Sequence, residues 1–292
     1  MLEMHTLRPE ERPQATALWQ MVFGDEKALI DAFLDQYSTP GDLFVLTDGD
    51  ETKEVMTLLA LLPLTFRWAD GREEPLPYVY ALATRPHQRG KGYARLLLRD
   101  TAYQASMRWA RGIATVPAEA SLHNYFATEG YLECFTTRTG TVETAGLPAP
   151  DPEDALISAA PAEYNALREK LLAGTNHAAY PDALIAFQQL LCQGSGGGLF
   201  TFTVNGRPGC AALEKTGEDR ILLKELLAPD GAETAALALL AASCPAKTYQ
   251  FRTPLGAGSP GTSLPFGMAK HLGEGKRPPF APEGCYLGLA FD

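Results

Sequence analysis

Apolar positions in the first half of the chain change period several times, and each change marks an element. Met4-His5-Thr6-Leu7-Arg8 predicts a short strand, and Pro9-Glu10-Glu11 follows with acids where the positive end of a helix lies. Ala17, Leu18, Met21 and Val22, then Leu29, Ile30, Phe33 and Leu34, predict two helices parted near Gly24. Residues 43–46 and 55–66 are apolar runs of strand length, separated by the polar turn Asp48-Gly49-Asp50. A further strand covers 78–84, bounded by Pro75 and Pro77 before it and Pro86 after it. Ala94, Leu97, Leu98, Thr101, Ala102, Ala105 and Trp109 make one apolar helix face. A strand at 113–116 stops at Pro117, and a short helix and a strand over 131–137 follow.

The proline- and alanine-rich segment 144–154 predicts a linker. Beyond it the order restarts: a strand at 155–157, helices at 161–172 and 180–191, and strands at 199–204, 210–215 and 221–227. Asn205-Gly206 and Thr216-Gly217 supply the hairpin turns between those strands. A helix over 234–242 and a strand over 248–252 complete the parallel with the first half. Gly194-Ser195-Gly196-Gly197-Gly198 precedes a strand rather than a helix, so it predicts a connection and no anion site. The tail 260–292 is rich in Gly and Pro and closes with an apolar strand over 286–291.

Charge and composition remove several classes of function. A net charge of -10 argues against a nucleic-acid partner and favours a cationic one. No apolar run nears the roughly 18 residues that cross a bilayer. The start Met1-Leu2-Glu3-Met4-His5 lacks a basic region and apolar core, which predicts no secretory signal and a cytoplasmic protein. Five scattered cysteines make neither a disulfide framework nor a zinc site, and the five histidines have no metal spacing. The oligomeric state stays open, a homo-oligomer included.

Against that acidic background, residues 85–99 carry five basic residues and no acid until Asp100. Here the strand at 78–84 runs through Arg89-Gly90-Lys91-Gly92-Tyr93-Ala94 into a helix. Two glycines at a helix start leave backbone N–H groups bare at the positive end of the helix dipole, a cradle for an anion. Gly92 is followed by Tyr93, which excludes the Lys-Ser/Thr nucleotide loop, and the three spaced glycines of a dinucleotide site are missing. The stretch resembles the acetyl-CoA motif of the GNAT N-acetyltransferases, Arg/Gln-x-x-Gly-x-Gly/Ala, with Arg89, Gly92 and Ala94 in its fixed positions. The element order of 1–143 resembles that fold as well.

The resemblance implies an α/β (α+β) protein of tandem GNAT folds, with a mixed central sheet flanked by helices and a degenerate second domain. It implies a catalytic domain over 1–143, the linker 144–154, and a GNAT-like domain over 155–292 whose loop 228–233 carries two acids and no base. The two-part layout is similar to bacterial acetyltransferases related to the enhanced-intracellular-survival family. Acetyl-CoA is then the cofactor, held by Leu82, Ala83 and Thr84 of the strand and by Arg89, Gly90, Lys91, Gly92, Tyr93 and Ala94 of the turn. A primary amine of a small molecule or peptide is the acceptor.

The segment ending Tyr125-Phe126-Ala127-Thr128-Glu129-Gly130-Tyr131 is similar to the family's late helix, Tyr-x-x-x-Gly-Phe, but Phe126 stands where the family has its acid tyrosine. Tyr125, one position early and about 100° round the helix, is the candidate donor. Glu119 and the carboxylates of the terminal Asp292 are candidate bases acting through water. A CoA-binding pseudoenzyme or sensor, and a transferase of longer acyl or aminoacyl groups, are the alternatives.

Overall fold

Most expected elements form with shifted ends in the computed structural model, which describes residues 1–39, 41–49, 53–256, 261–273, 280, 282 and 284–291. In the first half these are β1 (Glu3–Thr6), α1 (Arg12–Phe23), α2 (Lys27–Ala32), β2 (Leu43–Thr47), β3 (Val55–Arg67), β4 (Glu73–Thr84), α3 (Tyr93–Met107), β5 (Gly112–Thr115), α4 (Ala120–Thr128) and β6 (Leu132–Glu143). Then come β7 (Ala155–Ser158), α5 (Pro161–Leu171), β8 (His177–Ala179), α6 (Asp182–Gly194), β9 (Gly198–Val204) and β10 (Arg207–Gly217). The last are β11 (Arg220–Leu227), α7 (Glu233–Ser243), β12 (Thr248–Thr253) and β13 (Thr262–His271). The fold is mixed α/β, with strands of both directions and flanking helices. Among the described residues no helix is long and apolar enough to cross a membrane.

The chain divides into two compact units. The first holds Met1–Thr65, Glu74–Leu132 and Met268–Phe280. Its strands run β1-β2-β3-β4-β5, and beyond β5 lies the end of β13, with Met268 opposite Thr115 and Lys270 opposite Ile113 in antiparallel register. On one face α3 and α4 bury Leu97, Leu98, Ala102, Ala105 and Phe126 against Phe44, Leu59, Val79 and Ile113. Trp19 of α1 and Phe33, just past α2, meet the ring of Tyr80, their centroids 5.6 and 5.8 Å away.

The second unit holds Phe66–Glu73, Glu133–Gly267 and Ala281–Asp292, within the described residues. Its strand order is β6-β12-β11-β10-β9-β7. β6 pairs antiparallel with β12, from Glu143 opposite Thr248 to Arg138 opposite Thr253. Each unit therefore completes its sheet with a strand from the other half of the sequence. The second core is Phe202, Leu213, Ile221, Leu223, Leu237, Leu240, Tyr249 and Phe251.

Several expectations need correction. β4 starts at Glu73 and contains Pro75 and Pro77, which is tolerated because β5 pairs with it only from Tyr78 on. α3 ends at Met107, so Trp109 is not on its apolar face; it is 85% exposed, in a left-handed turn with φ 68°. The β10–β11 turn is at Glu218-Asp219, because Gly217 still pairs with Arg220. The glycine- and proline-rich tail hides a strand, β13, and β8 was also unforeseen.

The apolar end is not a strand. Cys285 and Tyr286 make single bridges, and Ala290 and Phe291 have φ of 63° and 61°, which breaks extension. A buried polar group pins this segment: Arg168 and Tyr180 both donate to the Leu287 carbonyl, at 3.3 and 3.1 Å. Arg168 is fully buried and paired with Glu225 at 2.9 Å, and a Cβ on Gly288 would collide with both. Asp50, Pro260 and Asp292 lie outside the described residues.

The register of β13 generates a prediction. A chain ending at Pro150 lacks Met268–His271, so β5 becomes an open, apolar edge. We expect it to be insoluble or to melt without a cooperative transition. Soluble yield and thermal unfolding check this; a soluble, sharply melting 1–150 fragment would contradict it.

Candidate active site

The site begins where two parallel strands separate. β4 and β5 are in register only at Tyr78–Ala114 and Val79–Thr115. β5 then stops, while β4 continues for five residues to Thr84. Tyr80, Ala81 and Leu82 stay half-exposed although they belong to a central strand. Ala81 sits at φ 52°, left-handed and costly for any residue with a Cβ. Past Val79 the β5-facing edge of β4 has no β5 strand to pair with, so its backbone N–H and C=O groups are offered to whatever enters the gap.

β4 leads into the glycine turn. Gly90 and Gly92 have φ of 78° and 82°, and a Cβ on either would meet nothing within 4 Å. The glycines serve backbone conformation, and open space lies in front of them. Gly92 caps α3, no side chain takes that role, and the N–H groups of the first turn have no intrahelical acceptor. An anion placed there meets both those donors and the helix dipole.

The five basic residues divide by their partners. Arg85 is shielded, bonded to the Val55 carbonyl at 2.7 Å and paired with Glu54 at 3.2 Å. Arg95 and Arg99 both meet Glu129, whose side chain is only 2% exposed. Arg89 and Lys91 remain exposed and bonded only to neutral oxygens, of Thr84 at 3.2 Å and of Gln88 at 2.7 Å. Arg89 and Lys91 thus present positive charge to solvent at the turn without a carboxylate against them among the described residues. Thr57 fixes the strand end by donating to the Ala83 carbonyl at 2.6 Å, with its hydroxyl 2.9 Å from that of Thr84.

On α4, Phe126 is 4% exposed and packed between the rings of Tyr125 and Tyr131, at 5.4 and 5.3 Å. Tyr125 is half-buried; its hydroxyl is shielded from solvent and has no hydrogen-bond partner. Burial first, then the charge of Glu129, raises the pKa of this phenol. Burial likewise raises that of Tyr131. Lys270, brought in by β13, has its ammonium pKa lowered mainly by burial, with Glu129 and Arg99 nearby.

The structure thus gathers Leu82, Ala83, Thr84 and Arg89 to Ala94 into one continuous strand end, turn and helix start. Tyr125, like Leu82 and Tyr93, is partly buried and packs against the same core cluster. Glu119 stands apart as the exposed N-cap of α4, accepting from Ser121 at 2.9 Å, and Asp292 lies outside the described residues. Sequence reasoning missed Ala81, Glu54, Thr57 and Glu129. The left-handed Ala81 carries no signal in its residue type; Glu54 and Glu129 were legible only as acids outside the basic run.

Residues 3–126 match the family model of the acetyltransferase (GNAT) domain. Residues 3–126 of the chain are therefore a GNAT acetyltransferase domain. A structure from Enterococcus faecalis V583, described as a probable N-acyltransferase, shares the fold with a TM-score of 0.71 at 13% identity, over 93% of this chain and 73% of that one. Eis1 from Mycobacterium abscessus does so with a TM-score of 0.67 at 13% identity, over 93% of this chain and 74% of its own. A tandem GNAT protein from the clavulanic acid biosynthesis pathway gives 0.55 at 13% identity, covering 94% of this chain and 100% of that chain. No curated protein matches in sequence.

The strain at Ala81 is open to measurement. Ala81→Gly removes a left-handed penalty of about 1–2 kcal/mol and adds an entropic cost of about 0.5–1 kcal/mol. We expect a neutral to slightly stabilised protein, and a clear loss for Ala81→Val, whose branched Cβ suits that φ worse. Denaturant midpoints decide; Ala81→Val as stable as the parent would remove the strain argument.

Proposed function

We propose that this chain is an acetyl-CoA-dependent N-acetyltransferase, which moves the acetyl group to a primary amine of a small molecule or peptide in a ternary complex. The observation that carries the proposal is the end of β4, which β5 does not accompany past Val79, leading without interruption to the start of α3, where no side chain caps the helix. Acetyl-CoA supplies an activated acyl group at a thioester. Its pantetheine amides pair with the backbone of Leu82, Ala83 and Thr84 as a guest strand. Its pyrophosphate takes the N–H groups of Gly90 to Ala94, with Arg89 and Lys91 at the rim. A β4 N–H beside the left-handed Ala81 faces the carbonyl oxygen on which charge develops. Fixing amine and carbonyl at contact distance supplies much of the remaining rate.

Tyr125 is the proton donor for the departing thiolate. Its raised pKa keeps the phenol protonated at neutral and mildly alkaline pH, so it donates and does not act as a base. The amine loses its proton through water to Glu119 or the carboxylates of Asp292. The negative field of the chain favours a cationic acceptor.

As repeats along the sequence the domains divide as 1–143, 144–154 and 155–292, with Phe66–Glu73 and 133–143 lent to the second compact unit and Met268–Phe280 to the first. The last of the three is a GNAT-like domain without cofactor. Its β11 pairs in parallel with β12 from Arg220 to Leu223 and runs on beside β10 without β12, as β4 runs past the end of β5. There, however, the bulge residue Lys224 is buried within 3.6 Å of Glu214, and Glu225 is held by Arg168. The helix that follows opens on an acid, Glu233. Buried charge and a negative first turn repel pyrophosphate. We expect calorimetry to give one acetyl-CoA per chain and no binding to Gly92→Leu, whose side chain fills the cradle. Two equal sites, or parental affinity in that variant, would sink the assignment.

CoA release across a panel of amines tests activity; its absence with every amine, despite tight cofactor binding, favours the pseudoenzyme. With an accepted amine, Tyr125→Phe should lower turnover about tenfold, worth about 1.4 kcal/mol of barrier, within what one hydrogen bond to a charged group supplies. Phe126→Tyr should lower the melting temperature instead, because it puts a hydroxyl into a core site. Unchanged turnover in Tyr125→Phe would remove Tyr125 from the chemistry.

A further inference from the structure

We infer that Glu54 is a positioning residue for cofactor binding: a carboxylate that, although an acid beside an anion site, sets the geometry of the phosphate turn. The inference rests on the acetyl-CoA reading of that turn. Glu54 stands just before β3, its side chain 25% exposed, and its own N–H is fixed by Asp48 at 3.0 Å. Three groups of the turn converge on its two oxygens. Arg85 Nε lies 3.2 Å from Oε1, Gln88 Nε2 donates to Oε2 at 3.2 Å, and His87 Nε2 is 3.4 Å away. Gln88 in turn accepts from Lys91 Nζ at 2.7 Å, so the carboxylate reaches the rim lysine through one amide.

The neighbours on β3 act in the same direction. Arg85 N–H donates to the Met56 carbonyl at 2.9 Å and its guanidinium to the Val55 carbonyl at 2.7 Å, while Thr57 holds the Ala83 carbonyl. The start of β3 is therefore the template on which the exit of β4 is laid. Within that template, among the described residues, the side chain of Glu54 binds those of residues 85, 87 and 88 together. The turn has no hydrophobic anchor of its own: Pro86, His87, Arg89, Gly90 and Lys91 are all exposed. Its shape depends on polar ties.

A negative charge this close also repels a pyrophosphate, so two effects of opposite sign compete. Repulsion between exposed charges is screened by salt within about 8–10 Å. A misplaced set of N–H donors is not. The two effects predict opposite results for removal of the charge, which makes the inference testable.

The experiment measures acetyl-CoA binding by calorimetry, at low and high salt, for the intact chain and for Glu54→Gln, Glu54→Ala and Gly92→Leu. Hydrogen exchange of the unliganded proteins is followed in parallel. Glu54→Ala should raise Kd at least tenfold, which is about 1.4 kcal/mol, at both salt concentrations. Glu54→Gln, which keeps an acceptor for Arg85, should recover most of the affinity. Exchange should quicken over residues 85–92 and stay slow in the middle of α3. Parental or tighter binding by Glu54→Ala would overturn the inference, leaving repulsion as the acid's only effect. Faster exchange throughout α3 and β4 would also overturn it, showing a general structural role. If the intact chain binds no acetyl-CoA, the reading of the turn fails first; if it binds and only Gly92→Leu fails to, Glu54 alone is refuted.

Discussion

The parting of β4 from β5 after Val79 is the constraint on which the first unit depends. A central strand normally satisfies its backbone on both sides, and a buried unpaired N–H or C=O is expensive. Here one side of β4 is left without a β5 partner over its last five residues, next to a left-handed alanine. The arrangement is stable because the gap is open rather than buried, as the half-exposure of Tyr80, Ala81 and Leu82 shows. This open edge is the one that we propose a ligand's amides complete. The glycine turn and the bare helix start lie at the end of the same strand, so one distortion aligns every element of the site.

Charge is distributed in service of that line. The chain is acidic overall, yet the turn presents cations because acids are placed behind it and not in front. Glu54 pairs with Arg85, and Glu129 is shared by Arg95 and Arg99, which fixes the turn and ties α3 to the end of α4. Arg89 and Lys91 keep their charge toward solvent. In the second unit the corresponding strand carries Lys224 and Glu225 inside the protein, each held by an opposite charge. Buried pairs of this kind add little net stability but are costly to break.

Much of this was legible in the residues. The period of apolar positions located α1, α3, β2, β3 and β9 to within a few residues, because each buries one face in a local pattern. The turn from Arg89 to Ala94 declared itself through glycine spacing and charge. What failed depended on partners remote in sequence. The first half of β13 has no regular apolar alternation, and its pairing with β5 and β6, both remote in sequence, makes it a strand. Pro75 and Pro77 looked like boundaries until the late start of the β5 ladder explained them. Trp109 matched the helical period and still fell outside, because the C-terminal turn of α3 decides where the helix stops. Ala81 is invisible to any pattern argument, since nothing in the residue type announces a left-handed conformation.

The exchange of strands between the two halves also dictates an order of events during synthesis. Ile113 waits for Lys270 and Thr248 pairs back to Glu143, so neither sheet closes by joining neighbours in the chain. Contacts of such long sequence separation form slowly, because loop closure must precede any gain from pairing. While the nascent chain lengthens, β5 is an apolar strand with one uncovered side. This interval, rather than the finished molecule, is where the protein is most prone to aggregate and most dependent on chaperones.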